Sequence, residues 1–143
     1  MSDAVRILVV ANRTAATPAL LDAVRERSAQ GNAIFHLVVP ATPHGLDRMM
    51  SPEDNGREEA AAVLRDALPA LSTAAGNSVT GSVGDPDPIN AIADEVNLNA
   101  YDELIISTLA HRVSKWMHLD LPSKAKGFGL PITHVSPKSL TTA

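Results

Sequence analysis

Arg6-Ile-Leu-Val-Val-Ala11 is a short, nearly continuous run of β-branched and aliphatic side chains. Runs of this kind suit a strand buried on both faces, the signature of a parallel sheet. The pattern repeats along the chain. Thr17 to Gln30 reads as a helix, with Thr17 as N-cap, Pro18 at the first helical position and Leu20, Leu21 and Val24 as its apolar stripe. Gly31 supplies the stop. Ala33-Ile-Phe-His-Leu-Val-Val39 is a second strand, closed by Pro40. Ser51-Pro-Glu-Asp54 carries a helix-start signal that Asn55-Gly56 interrupts, and Ala60, Leu64, Ala67, Leu68 and Leu71 then recur at helical spacing. Pro69 falls inside that face and predicts a kink or an end there. Ser78-Val-Thr-Gly-Ser-Val83 alternates polar and apolar residues, as a strand near an edge does. Gly84-Asp-Pro-Asp-Pro88 turns into a helix through Ile89, Ile92, Ala93 and Val96, with Asp85 and Asp87 as its capping residues. Glu103-Leu-Ile-Ile106 and Pro131-Ile-Thr-His-Val135 are the fourth and fifth strands. Five strands alternating with helices imply one α/β domain over residues 1–143: a three-layer fold with a five-stranded parallel sheet joined by right-handed crossovers. Residues 136–143 read as a frayed tail.

Composition narrows the function. The chain has 143 residues, enough for one domain that buries roughly 68–70% of its unfolded surface. It has no cysteine, which excludes disulfides, thiolate metal sites and a cysteine nucleophile, and fits a cytoplasmic address. The apolar stretch Ile7–Ala11 is too short for a signal-peptide core, and no run approaches the ~20 residues of a membrane span. A net charge of −4 argues against general binding to nucleic acid or anionic membranes, and 3% aromatics leave no base-stacking platform. Charge is uneven, however. Residues 1–104 hold seven basic and fifteen acidic side chains; residues 105–143 hold five basic and one acidic.

In open α/β sheets ligands bind outside the carboxyl ends of the strands, where strand order reverses. Here those ends are Ala11-Asn12-Arg13, Val39-Pro40-Ala41 and Ser107-Thr108-Leu109. The eight glycines build neither a Gly-x-Gly-x-x-Gly turn nor a Gly-Lys-Ser/Thr loop, so neither a Rossmann nor a P-loop site is written in the sequence.

The order of elements resembles the universal stress protein family. Arg6-Ile-Leu-Val-Val10 is similar to its first strand, and Val83-Gly-Asp-Pro86 to the turn after its third. Asp102-Glu-Leu-Ile-Ile106, a long polar segment and Gly129-Leu-Pro-Ile-Thr-His-Val135 resemble its last two strands. The resemblance spans nearly the whole chain and implies homodimerisation through the last strand and, in ATP-binding members, a Gly-x2-Gly-x9-Gly-Ser/Thr motif after strand four. Laid over this chain, the glycine positions fall on Ser107, Ala110 and Asp120 and the hydroxyl position on Leu121; a shift of two brings the last pair to Pro122-Ser123. No glycine of the motif is present, and Asn12 stands where an acidic residue is common. ATP or another adenine nucleotide is the cofactor the resemblance implies. The missing glycines speak against ATP, because a Cβ at a close-approach glycine blocks backbone–phosphate contact.

The segment after strand four instead carries Arg112, Lys115, Lys124 and Lys126, with Asp120 as N-cap and Pro122 in the first turn of a short helix. Cations beside a helix N-terminus suit an anion. The candidate ligand-binding set is therefore Ala11, Asn12, Val39, Ser107, Thr108, Arg112, Lys115 and Ser123, for a nucleotide or other anion. His36 and His134 lie inside strands and read as structural. His111 and His118 stand seven apart without a third metal ligand, and Trp116-Met117 is a lone apolar pair. No nucleophile–base–orienter set emerges from spacing. The reading is a small non-catalytic protein with a degenerate nucleotide or anion site. The alternatives are a ligand-free interaction protein of the same fold and, behind it, an enzyme acting on a phosphorylated substrate.

Overall fold

The computed structural model describes residues 4–12, 14–41, 57–108 and 120–136. Within them, β1 (Val5–Val10), β2 (Ala33–Pro40), β3 (Thr80–Gly84), β4 (Glu103–Ser107) and β5 (Ile132–Val135) form one sheet. Its order is β3-β2-β1-β4-β5, and every neighbouring pair is parallel. The expected five-stranded parallel sheet is present.

Because successive side chains in a strand point to opposite faces, an unbroken apolar strand feeds two cores at once. Ile7 and Val9 of β1 join Phe35, Leu37 and Val39 of β2 in one core, covered by α1 (Pro18–Ala29) and α2 (Arg57–Ala75). Leu8 and Val10 join Val38, Leu104 and Ile106 in the other, covered by α3 (Pro88–Leu98) and α4 (Leu121–Ala125). Three layers result.

Local chemistry sets the helix ends. Thr17 caps α1, its hydroxyl accepting from the Leu20 N–H at 3.4 Å, and Gly31 follows the helix at φ 148°. Asp87 caps α3, accepting from the Ile89 N–H at 2.9 Å, while Asp85 accepts from the Asp87 N–H at 2.8 Å. Pro69 does not end α2. The helix runs on to Ala75, its last turns held on the sheet by buried Leu71, Ala74 and Ala75. Burial of that face outweighs the bond a proline removes. β3 begins at Thr80 rather than Ser78, since Val79 turns its N–H to the Ser72 hydroxyl of α2 at 3.0 Å. At the other end of β3, Gly84 lets α3 approach closely: a Cβ there would meet Val38 Cγ2 at 2.8 Å and Ala91 Cβ at 2.9 Å.

Asp120 occupies the N-cap position of α4, but not as a side-chain cap. Its backbone is left-handed, φ 58°, and its carboxylate makes no cap bond. Pro122 lies in the first turn as expected. The Ser51-Pro52 helix start, Arg112, Lys115, the two histidines and Trp116-Met117 between them, and tail residues 137–143 lie outside the described residues. Among the described residues, no helix is long and apolar enough to cross a membrane.

Candidate functional site

The strand order fixes the crevice. β1 pairs with β2 on one side and β4 on the other, so the connections from β1 and β4 leave the sheet in opposite directions. Between them sit Ala11-Asn12 and Ser107-Thr108. Asn12, Thr14, Ser107 and Thr108 are the buried polar side chains among the described residues, at 8, 2, 1 and 2% exposure. All four collect at this one end of the sheet.

Burial obliges each to find a partner. Asn12 Nδ2 donates to the Pro40 carbonyl at 2.6 Å, tying the exit of β1 to that of β2. Thr14 and Ser107 share a hydrogen bond, Oγ1 to Oγ, of 2.7 Å. Thr108 donates its N–H to the Val135 carbonyl at 2.8 Å, and its Oγ1 lies 2.8 Å from His134 Nε2. Desolvation holds His134 below the usual histidine range, so at neutral pH it meets Thr108 as an uncharged imidazole. The described part of the crevice is thus a set of neutral hydrogen-bonding groups. A threonine and a serine that share one bond use one of two hydroxyl hydrogens. Such groups can orient a ribose, a base edge or a phosphate oxygen, but supply no charge of their own.

The structure draws Asn12, Ser107 and Thr108 of the sequence-derived set into this cluster. Ala11 and Val39 are fully buried, their side chains part of the apolar core rather than of the polar cluster. Ser123 is exposed on α4, with no hydrogen bond to the cluster. Arg112 and Lys115 fall outside the described residues. Sequence reasoning missed Thr14 and treated His134 as merely structural. The signal for both was present: hydroxyls just past β1 and β4 converge if those strands are neighbours. Among the described residues, no three histidine or acidic side chains gather as metal ligands would.

No family model matches the sequence, and no curated protein matches it. Solved structures do match. A universal stress protein from Archaeoglobus fulgidus superposes with a TM-score of 0.60 at 17% identity, over 92% of this chain and 93% of that one. The chain has the universal stress protein fold. A universal stress protein in complex with cAMP superposes with a TM-score of 0.59 at 19% identity, over 94% and 98% of the two chains. The Archaeoglobus fulgidus protein in complex with dAMP gives 0.54 at 15% identity, over 94% and 99%. The universal stress protein fold thus accounts for the five-stranded order and for the crevice at the ends of β1 and β4. Identities this low speak for fold alone.

Proposed function

We propose that this chain is a small, non-catalytic protein of the universal stress type that binds an adenine nucleotide or a related anion at the carboxyl ends of β1 and β4. The observation that carries the reading is the gathering of Asn12, Thr14, Ser107 and Thr108 where strand order reverses. Polar side chains cost free energy to bury, and a fold that needed only packing would place apolar residues there. Two structures of the same fold hold cAMP and dAMP, which supports the ligand class. Charge would come from Arg112 and Lys115, with Arg112 the stronger candidate because a guanidinium grips phosphate through two parallel bonds. Ser123 would supply a further hydroxyl.

The protein would act in the cytoplasm as a homodimer joined through β5, whose outer edge has no strand partner among the described residues. A second reading is favoured by one observation. Each hydroxyl of the crevice already has a partner within the protein, Thr14 with Ser107 and Thr108 with His134, as it would in a ligand-free interaction protein of the same fold.

A thermal-shift panel of ATP, ADP, AMP, cyclic nucleotides and phosphate separates the two. A ligand at a hundredfold excess over its Kd stabilises the native state by about 2.7 kcal/mol. For a chain of 143 residues that is a rise in Tm of about 9 °C. Arg112→Ala abolishes the shift and leaves the unliganded Tm nearly unchanged. No shift with any phosphate-bearing compound establishes the ligand-free reading.

A further inference from the structure

A second polar cluster lies at the opposite end of the sheet, on the α3 side. His36 on β2 stands beside Thr80 on β3 in the parallel register, and both face the last turns of α3. Glu95 of α3 accepts two hydroxyl hydrogens, from Ser82 at 3.0 Å and from Tyr101 at 3.1 Å. With the Ser82 hydrogen so committed, its oxygen accepts from His36 Nε2–H at 2.9 Å, which leaves Nδ1 to accept the Thr80 hydroxyl at 2.7 Å. The arrangement specifies a neutral imidazole in one tautomer. Burial holds His36 below the usual histidine range, with Arg6 adding to that and Glu95 opposing it. The network has no loose end that needs a ligand. Its outer surface is different.

That surface lines a cavity of about 230 Å³ bounded by Arg6, Ile34, His36, Thr80, Asn99 and Tyr101. Three features give the cavity a chemistry. Arg6 lies over the Tyr101 ring, 5.7 Å from its centroid, which fixes the guanidinium while its N–H edges stay available. No carboxylate of the described residues lies within ion-pair distance of it. Asp102 instead accepts from the Arg6 backbone N–H at 2.9 Å. Asn99 offers a side-chain amide that has no hydrogen-bond partner among the described residues. Ile34, 48% exposed on the same face, supplies an apolar wall beside the tyrosine ring.

We infer that this cavity binds a small organic monocarboxylate, gripped by Arg6 and Asn99 with its apolar body against Ile34 and Tyr101. An anion is called for because Arg6 is the charge on the cavity wall, while Glu95 sits behind the histidine with its carboxylate occupied by two hydroxyls. A single charge fits better than a double one. Arg6 is one cation, and Glu95 and Asp102 stand close enough to oppose a dianion. The volume lies below the range of about 300–1,000 Å³ that holds a drug-sized molecule, so the ligand is small. The site stands at the amino ends of the strands, across the sheet from the nucleotide crevice, and does not depend on that assignment.

The test is a titration of the ¹⁵N-labelled protein with benzoate, benzamide and inorganic phosphate, followed through backbone amide signals. Benzoate is expected to move the signals of Ile34, Thr80 and Asn99 saturably and to leave Ser107 and Thr108 in place. Benzamide and phosphate are expected to bind at least about tenfold more weakly, since a charge-assisted pair is the main contact. Arg6→Gln keeps the backbone bond to Asp102 and should weaken benzoate by about tenfold or more. Equal responses to benzoate and benzamide, preference for phosphate, movement confined to other residues, or undiminished binding by Arg6→Gln each overturn the proposal. The comparison of benzoate with benzamide needs no variant, so it stands even if Arg6→Gln misfolds.

Discussion

The Thr14–Ser107 bond is the contact most able to show whether the crevice is built by its own hydroxyls. The partners are 93 residues apart, 1–2% exposed, and joined by a bond of 2.7 Å. Ser107→Ala leaves the Thr14 hydroxyl buried without its partner, at a cost of about 1–3 kcal/mol. Thr14→Val, nearly isosteric, leaves Ser107 in the same position at a similar cost. The double variant removes both polar groups together, and replacing both partners by apolar groups of similar shape approaches neutrality. The cycle should therefore show a coupling of about 2 kcal/mol or more, the double variant being less destabilised than the sum of the singles. At about 2.1 cal/mol/K of unfolding entropy per residue, each single variant lowers Tm by about 3–10 °C. Urea denaturation with equal m-values across the four proteins is the assay. Additivity within about 0.5 kcal/mol would refute the reasoning, since it would mean that neither hydroxyl relies on the other.

Three further outcomes follow from the same geometry. Gly84→Ala forces a Cβ against Val38 and Ala91 at the closest approach of α3 to β3, and should cost about 1–3 kcal/mol by chemical denaturation; a neutral result would show that α3 moves freely. His36 and His134 both have depressed folded-state values, chiefly through desolvation. Below a pH of about 6.5 the unfolded chain takes up protons that the folded one resists, so their contribution is present at neutral pH and is lost as pH falls through the folded values. His36→Gln and His134→Gln should each flatten the acid limb of a plot of stability against pH. Arg27 grips Glu103 through two bonds, 3.0 and 2.6 Å, with side chains 20 and 25% exposed. Arg27→Met should lose on the order of 1 kcal/mol, and 1 M salt should narrow the gap to the parent protein.

The crevice differs in kind from a glycine-lined phosphate loop. Glycines let a backbone approach a phosphate directly, whereas Ser107 and Thr108 stand at the exit of β4 with side chains that bond within the protein. A ligand held here would meet hydroxyls and an amide first. Charge would have to come from the basic segment that follows β4, where the sign of the sequence changes.

The sequence by itself determined most of what depends on near neighbours, though not the cap at Asp120, whose left-handed backbone leaves its carboxylate without a cap bond. The unbroken apolar run of β1 announced a strand with two buried faces, Thr17 and Asp87 announced their helices, and the alternation of such elements announced a parallel sheet. Each is a matter of side-chain period or of a cap bond reaching two or three residues along the chain. At two other places distant packing overrode a local rule: Pro69 could not end α2 against the burial of Leu71, Ala74 and Ala75, and Val79 was drawn from the sheet to Ser72. The candidate site was legible only as a set of strand ends. That Thr14 would meet Ser107, that Thr108 would meet His134, and that His36 would join Glu95 through Ser82 depended on which strands lie side by side. Hydrogen bonds reach about 3 Å whatever the separation in sequence, so only the order β3-β2-β1-β4-β5 could decide those pairs.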